Sequence, residues 1–220
     1  MTSMKSRTTL PSDAVTAAAL RLTSAGLLAL CLGLFLPGAP ARAETPRVVV
    51  EQTTSAVLAV LRNAGLSSDE KRQRIEEIVY VRVDFETLSR LVLARNWSRL
   101  STPQQAEFTE QFKQHLSLTY GRNIDKYRNE DATIVGEREE VRGDWTVQTK
   151  VLHGGPEDFV VDYRLRQRDG QWRIIDVIVE NVSMVSNFRS QFQEIIANSG
   201  PDRLLRLLRE KNEKGEPLKS

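Results

Sequence analysis

The residues able to do chemistry are few in this chain of 220 residues, and their spacing argues against a catalytic or metal centre. His115 and His153 are the only histidines, and neither has a carboxylate or a second histidine at ligand spacing. The one cysteine, Cys31, lies in an apolar run near the start, so it offers no site for thiolate chemistry. There is no G-x-S-x-G, no phosphate-cradling glycine loop and no His/Cys cluster. Asp176 is the polar residue that asks for an account, because it interrupts the apolar run Trp172–Val182. A carboxylate placed there must find partners for its charge. One reading makes it a general base, with Tyr163 the one obvious second titrating group. The other makes it a structural carboxylate bonded to backbone or to an arginine such as Arg173 or Arg189, and the missing second catalytic group favours it. Glu180, Asn181 and Arg189 read equally as a polar rim at a pocket mouth or as the solvated end of a helix.

The elements that would position these residues follow from periodicity. Arg47–Arg62 reads as a helix offering Val50, Val57, Leu58 and Leu61 to one face, ended by Asn63-Ala64-Gly65. Ser68 is expected to cap a second helix through Ile75, Ile78 and Val79, and Asp84 to restart a short third with Phe85, Leu88, Leu91 and Val92. Thr102-Pro103-Gln104-Gln105 reads as a capping box with Pro103 at the first helical position. The helix beyond it places Phe108, Phe112, Leu116, Tyr120, Ile124 and Tyr127 on one aromatic-rich face, which as a bare pattern suits ordinary core packing. His115, one residue off that stripe, reads as a surface or boundary residue.

From Asp131 the period becomes two. Trp145, Val147, Thr149 and Val151 alternate with polar neighbours, as do Phe159, Val161, Tyr163 and Leu165. His153-Gly154-Gly155-Pro156 and Asp169-Gly170 are turn sequences. Trp172–Val182 is the most continuously apolar strand and is expected to be central. At Met184 the period returns to helical through Val185, Phe188, Phe192 and Ile195, with Ser183 as cap, and Asp202–Arg209 makes a last helix. Helices, a meander of about four strands and helices again imply an α+β fold, a curved antiparallel sheet with helices over one face.

Met1–Ala43 has the layout of a cleavable signal peptide: basic residues, an apolar run Leu22–Leu36, Pro37, then Ala41-Arg42-Ala43, with cleavage expected before Glu44. The apolar run is short for a membrane span. The segment takes four basic residues and one acidic residue out of 31 Lys+Arg and 29 Asp+Glu, leaving 27 against 28. A chain so close to neutral carries no electrostatic footprint for nucleic acid. Residues 44–212 are expected to form a single domain, followed by a charged, frayed tail at 213–220.

The run V-I-V-E-N-V-S-M-V-S-N-F-R-S-Q-F (177–192) resembles the signature of the periplasmic phospholipid-binding carriers of the Mla (maintenance of lipid asymmetry) pathway, the MlaC or toluene-tolerance family. Three further stretches agree in order and spacing: D-F-E-T-L-S-R-L-V-L (84–93), W-S-R-L-S-T-P-Q-Q (97–105) and G-Q-W-R-I-I-D (170–176). Ala94 stands where the family usually has glycine. The resemblance implies a cystatin-like cone whose acyl-chain cavity lies between sheet and helices, with phospholipid as cargo, no cofactor and no enzymatic activity. It also implies a periplasmic monomer exchanging lipid with two partners. One is an inner-membrane ABC transporter with a lipid-binding hexameric ring, and the other an outer-membrane lipoprotein–porin complex. Expected tail contacts are Phe85, Leu88, Phe112, Leu116 and Tyr120 from the helices. From the sheet and the helix after it they are Val147, Val161, Tyr163, Val179, Val182, Val185, Phe188 and Phe192. Asn181 and Arg189 are candidates for the head group or rim. A carrier of another lipid such as a hopanoid, a cone-fold enzyme using Asp176, and a structural adaptor with a filled core are the alternatives.

Overall fold

The computed structural model describes residues 44–121, 127, 130–152 and 158–218. The expected signal segment with Cys31, the turn at His153–Pro156 and the stripe residue Ile124 lie outside the described residues. Four helices lead: α1 (Pro46–Arg62), α2 (Ser68–Arg82), α3 (Phe85–Leu93) and α4 (Thr102–Gly121), with a 3-10 turn, Ala94–Arg99, between the last two. The sheet follows as β1 (Asp131–Glu139), β2 (Trp145–Leu152), β3 (Phe159–Arg168), β4 (Gln171–Val179) and β5 (Val182–Ser183), and α5 (Met184–Ser199) and α6 (Pro201–Glu213) complete the chain.

Side chains set most helix starts. Thr45 caps α1, accepting from Val48 N–H, and Pro46 begins the helix. In α2 the cap is Ser67, one residue before the expected Ser68. Its hydroxyl accepts from Glu70 N–H while the Glu70 carboxylate accepts from Ser67 N–H at 2.8 Å. Asp84 caps α3 as expected, accepting from Thr87 N–H at 2.9 Å. The box at α4 is also one residue earlier than expected: Ser101 N–H donates to Gln104 Oε1 at 2.9 Å, and Gln104 N–H to Ser101 Oγ at 3.4 Å. Gln105 instead turns back to the carbonyls of Trp97 and Leu100.

The sheet is an antiparallel meander in the order β1-β2-β3-β4-β5. Five strands stand where about four were expected, because the run to Val182 breaks. Glu180 and Asn181 take positive φ values of 46° and 65°, forming a two-residue turn that sends Val182 back to pair with Val179. Since β5 is only two residues long, β4 lies near the end of the sheet and not at its centre. A bulge opposite Arg164/Leu165 shifts the phase of β4, so that Ile174 pairs with Leu165 while Val177 pairs with Tyr163.

Apolar burial divides into two clusters. The larger joins α3, α4, α5 and α6 through Phe108, Phe112, Phe188 and Phe192, whose ring centroids lie 5.1–5.6 Å apart in the five close pairs they form. The smaller holds α1 on the sheet through Val49, Val50, Val147, Leu165 and Ile174. His115 is buried in the first region, 1% exposed, which corrects its reading as a surface residue. Leu218 N–H donates to its Nε2 at 3.3 Å, so Nδ1 carries the proton and donates to Asn212 Oδ1 at 3.1 Å. Burial pushes the His115 imidazole below its usual value, consistent with this neutral form. Residues 214–218 therefore turn back onto the fold, and Leu218 packs against the larger cluster.

Candidate functional site

Between the sheet and helices α1, α2 and α4 lies space that side chains do not fill. It has two lobes, one of about 350 Å³ and one of about 600 Å³. Val57, Leu61, Ile75, Val79, Val83, Tyr120, Tyr127, Ile174, Val177 and Met184 line both, so the lobes are branches of one forked cavity. The smaller branch continues along α3 and α4 past Phe85, Leu88 and Leu116. The larger runs over the sheet past Val151, Phe159, Val161 and Tyr163 to Val179 and Val182.

The reason for the opening is visible in side-chain size. Along this face of the sheet, register aligns Thr149 with Val161 and Val161 with Val179, so short side chains hold its middle, between Phe159 and Tyr163. Facing them, α2 offers Ile75 and Val79 from a helix with no buried residue at all. Strand and helix faces lined by such short side chains leave a gap where interiors are ordinarily close-packed. Tyr163 is a polar handle in the lining. Its hydroxyl bonds to Thr149, and burial pushes the phenol up to about 12, so it stays neutral.

Polar groups gather where α2 faces α4. Lys113 Nζ sits 4.0 Å from the centre of the Tyr80 ring, Ser117 donates to the Glu76 carboxylate, and the stem of Arg72 lies against Gly121. A Cβ added at Gly121 would lie 3.0 Å from Arg72 Cδ, so glycine makes room for the arginine. Burial first, then the Glu76 carboxylate, raise the Tyr80 phenol. All six residues line the smaller branch.

The structure gathers eight of the thirteen expected tail-contact residues around this cavity: Phe85, Leu88, Leu116, Tyr120, Val161, Tyr163, Val179 and Val182. It places the other five elsewhere. Phe112, Val185, Phe188 and Phe192 are packed in the larger cluster, and Val147 lies under α1. Arg189 is not at the cavity. Its guanidinium donates twice to the Leu91 carbonyl, at 3.0 and 2.7 Å, tying α5 to the end of α3. Asn181 occupies the exposed turn before β5. Among the lining residues that reasoning from sequence did not assign, Val57, Leu58, Leu61, Ile75 and Val79 had been read as apolar helix faces. Met184 had been read as the first apolar position of the helix after the sheet, and the polar groups of α2 and α4 had not been singled out.

Asp176 finds its partners within the fold. It is 2% exposed, accepts from Val185 N–H at 3.0 Å and from the Ser183 hydroxyl at 2.6 Å, and so fixes the start of α5 on β4. Tyr163 pairs with Val177, the neighbour of Asp176, which places the two side chains on opposite faces of the sheet. Among the described residues no three His, Cys, Asp or Glu side chains gather to hold a metal, and no helix is long and apolar enough to cross a membrane.

Comparison with known proteins agrees with this architecture. The MlaC protein family matches residues 51–210. The chain belongs to that family. A curated relative, the toluene tolerance protein ttg2D of Pseudomonas putida, is 29% identical over 165 residues, covering 73% of this chain and 77% of that one. A solved structure, the phospholipid-binding protein of Ralstonia solanacearum in complex with a phospholipid, superposes with a TM-score of 0.69 at 23% identity. It covers 79% of this chain and 98% of the other. As an MlaC family member the chain is thus an α+β fold with one open antiparallel sheet, of five strands and not about four.

Proposed function

We propose that this chain is a periplasmic carrier that binds one phospholipid by its acyl chains and shuttles it between membrane complexes. The observation that carries the reading is the forked apolar cavity between sheet and helices. Two tails of roughly 30 methylenes would cost about 20 kcal/mol or more to hold bare in water, at about 0.8 kcal/mol each. A carrier needs an extended apolar space, few polar groups inside it and no catalytic residue. Two branches meeting at Val177, Met184 and Tyr120 suit a lipid with two flexible chains better than one rigid ring system. The Ralstonia protein, solved in complex with a phospholipid, supports the same cargo. The signal-like start supports export, and the family supports exchange with an inner-membrane ABC transporter and an outer-membrane lipoprotein–porin complex. The cargo is lipid and no cofactor is required; Asp176 serves structure, not catalysis.

The test is native mass spectrometry of the chain purified without detergent, with organic extraction of whatever is bound. About one diacyl lipid per chain is expected. A protein that stays free of lipid after incubation with phospholipid vesicles would overturn the reading.

A further inference from the structure

Helices α2 and α4 meet across the smaller branch through side chains in strict register. On α2, Arg72, Glu76 and Tyr80 recur every four residues and so share one face; on α4, Lys113, Ser117 and Gly121 do the same. The rungs pair in opposite order, Tyr80 with Lys113, Glu76 with Ser117 and Arg72 with Gly121, as two antiparallel helices require. The result is a polar ladder along the rim of an apolar cavity, with charges reading cation, carboxylate, cation from Lys113 through Glu76 to Arg72. The Arg72 rung lies beside Tyr120, 54% exposed, where the two branches join. Among the described residues the rest of the larger branch shows no cation in its lining: its polar residues there are Thr53, Thr54, Glu130, Tyr163 and Asn187.

We infer that this ladder is a head-group subsite selecting a phosphate that carries a cationic amine, with Arg72 taking the phosphate and Glu76 the ammonium. The inference rests on the carrier reading and names its specificity. The local partners of the cations are weak competitors. Arg72 bonds Asp69 at 3.2 Å and Lys113 bonds Glu110 at 3.5 Å, but both carboxylates are exposed, so a phosphate can displace them. Arg72 offers the planar fork that suits a phosphate, and Gly121 leaves room for its stem beside α4. Glu76, between two cations, gives a zwitterionic head group a complement at both of its charges. A purely anionic head group would instead meet Glu76 as a like charge.

The test loads the delipidated full chain from vesicles of equimolar phosphatidylethanolamine and phosphatidylglycerol, and quantifies the extracted lipids per folded chain. The wild type should take phosphatidylethanolamine over phosphatidylglycerol by about fivefold, and Glu76→Gln should bring the ratio to about one or below. Ser117→Ala, which keeps the carboxylate, should retain the selection. An independent arm adds diacylglycerol to the vesicles, and Arg72→Gln should admit it about fivefold more than the wild type does. Normal total loading with the same ratios in wild type and both charge variants overturns the head-group inference alone. A wild type that takes up no lipid overturns the carrier reading and the inference with it.

Discussion

Two apolar regions of the molecule behave in opposite ways. Where α4 meets α5 and α6, Phe108, Phe112, Phe188 and Phe192 fill space completely, each 0–3% exposed and each ring meeting at least two of the others edge-on, tilted or stacked. Where the sheet faces α1 and α2, a lining mostly of valines, leucines and isoleucines, with Tyr120, Tyr127, Phe159 and Tyr163 among them, bounds a fork that side chains leave open. Hydrophobicity is common to both; the four phenylalanines interlock in pairs, whereas the rings of the fork stand along its wall. The filled cluster acts as the rigid frame, and the unfilled wall is left to be completed by a ligand. Its flank at α2, with no buried residue, is the part of the frame with least packing of its own.

The comparison can be broken most forcefully at Phe192. Phe192→Ala removes three ring contacts from a fully buried position and should destabilise the fold by about 3–5 kcal/mol, read by chemical denaturation. Lipid bound per folded chain should not change; loss of lipid without loss of stability would merge the two regions. Asp176→Ala comes next, because it leaves the Val185 N–H and the Ser183 hydroxyl without their acceptor. About 1–3 kcal/mol of stability should be lost, again with lipid retained. A change in lipid content with unaltered denaturation would give that carboxylate a role at the cavity.

His115 sharpens the same contrast through pH. Its folded pKa lies below the ordinary 6.5 because of burial. Its contribution to stability is therefore complete above about pH 6.5 and declines as pH falls towards the folded value, where the unfolded chain takes up the proton first. Denaturation midpoints measured from pH 8 to 5 should fall less in His115→Gln than in the wild type. Parallel profiles would remove His115 from the account. The smallest effect is expected in α2: amide exchange there should slow on lipid loading while exchange in α5 and α6 stays the same.

Much of this was legible in the sequence, and the misses have physical reasons. Period-two and period-four patterns place the meander and most of the helices, because burial on one face demands them. The α4 cap was misplaced by one residue because S-T-P-Q-Q satisfies a capping box in two registers, from Ser101 or from Thr102. The end of β4 was missed because Glu180-Asn181 carries no glycine to announce a turn of positive φ. His115 looked peripheral because only the tertiary packing of α6 and Leu218 covers that flank of α4. Five cavity assignments, Phe112, Val147, Val185, Phe188 and Phe192, fall in the packed regions, since periodicity marks an inward face without saying whether space beyond it is filled. The α2–α4 ladder is invisible in sequence, because its rungs join residues 33 to 49 positions apart whose adjacency only the fold supplies.

The central claim, that the fork holds acyl chains, is tested most directly at Val177, a half-buried β4 residue lining both branches. Val177→Trp, and Val161→Trp in the larger branch alone, should place an indole where tails would lie, and lipid per folded chain is to be counted by native mass spectrometry. The account predicts that Val177→Trp folds with near wild-type stability and carries little or no lipid. A Val177→Trp protein that still carries one lipid per chain, or that fails to fold because the space was never open, would contradict it.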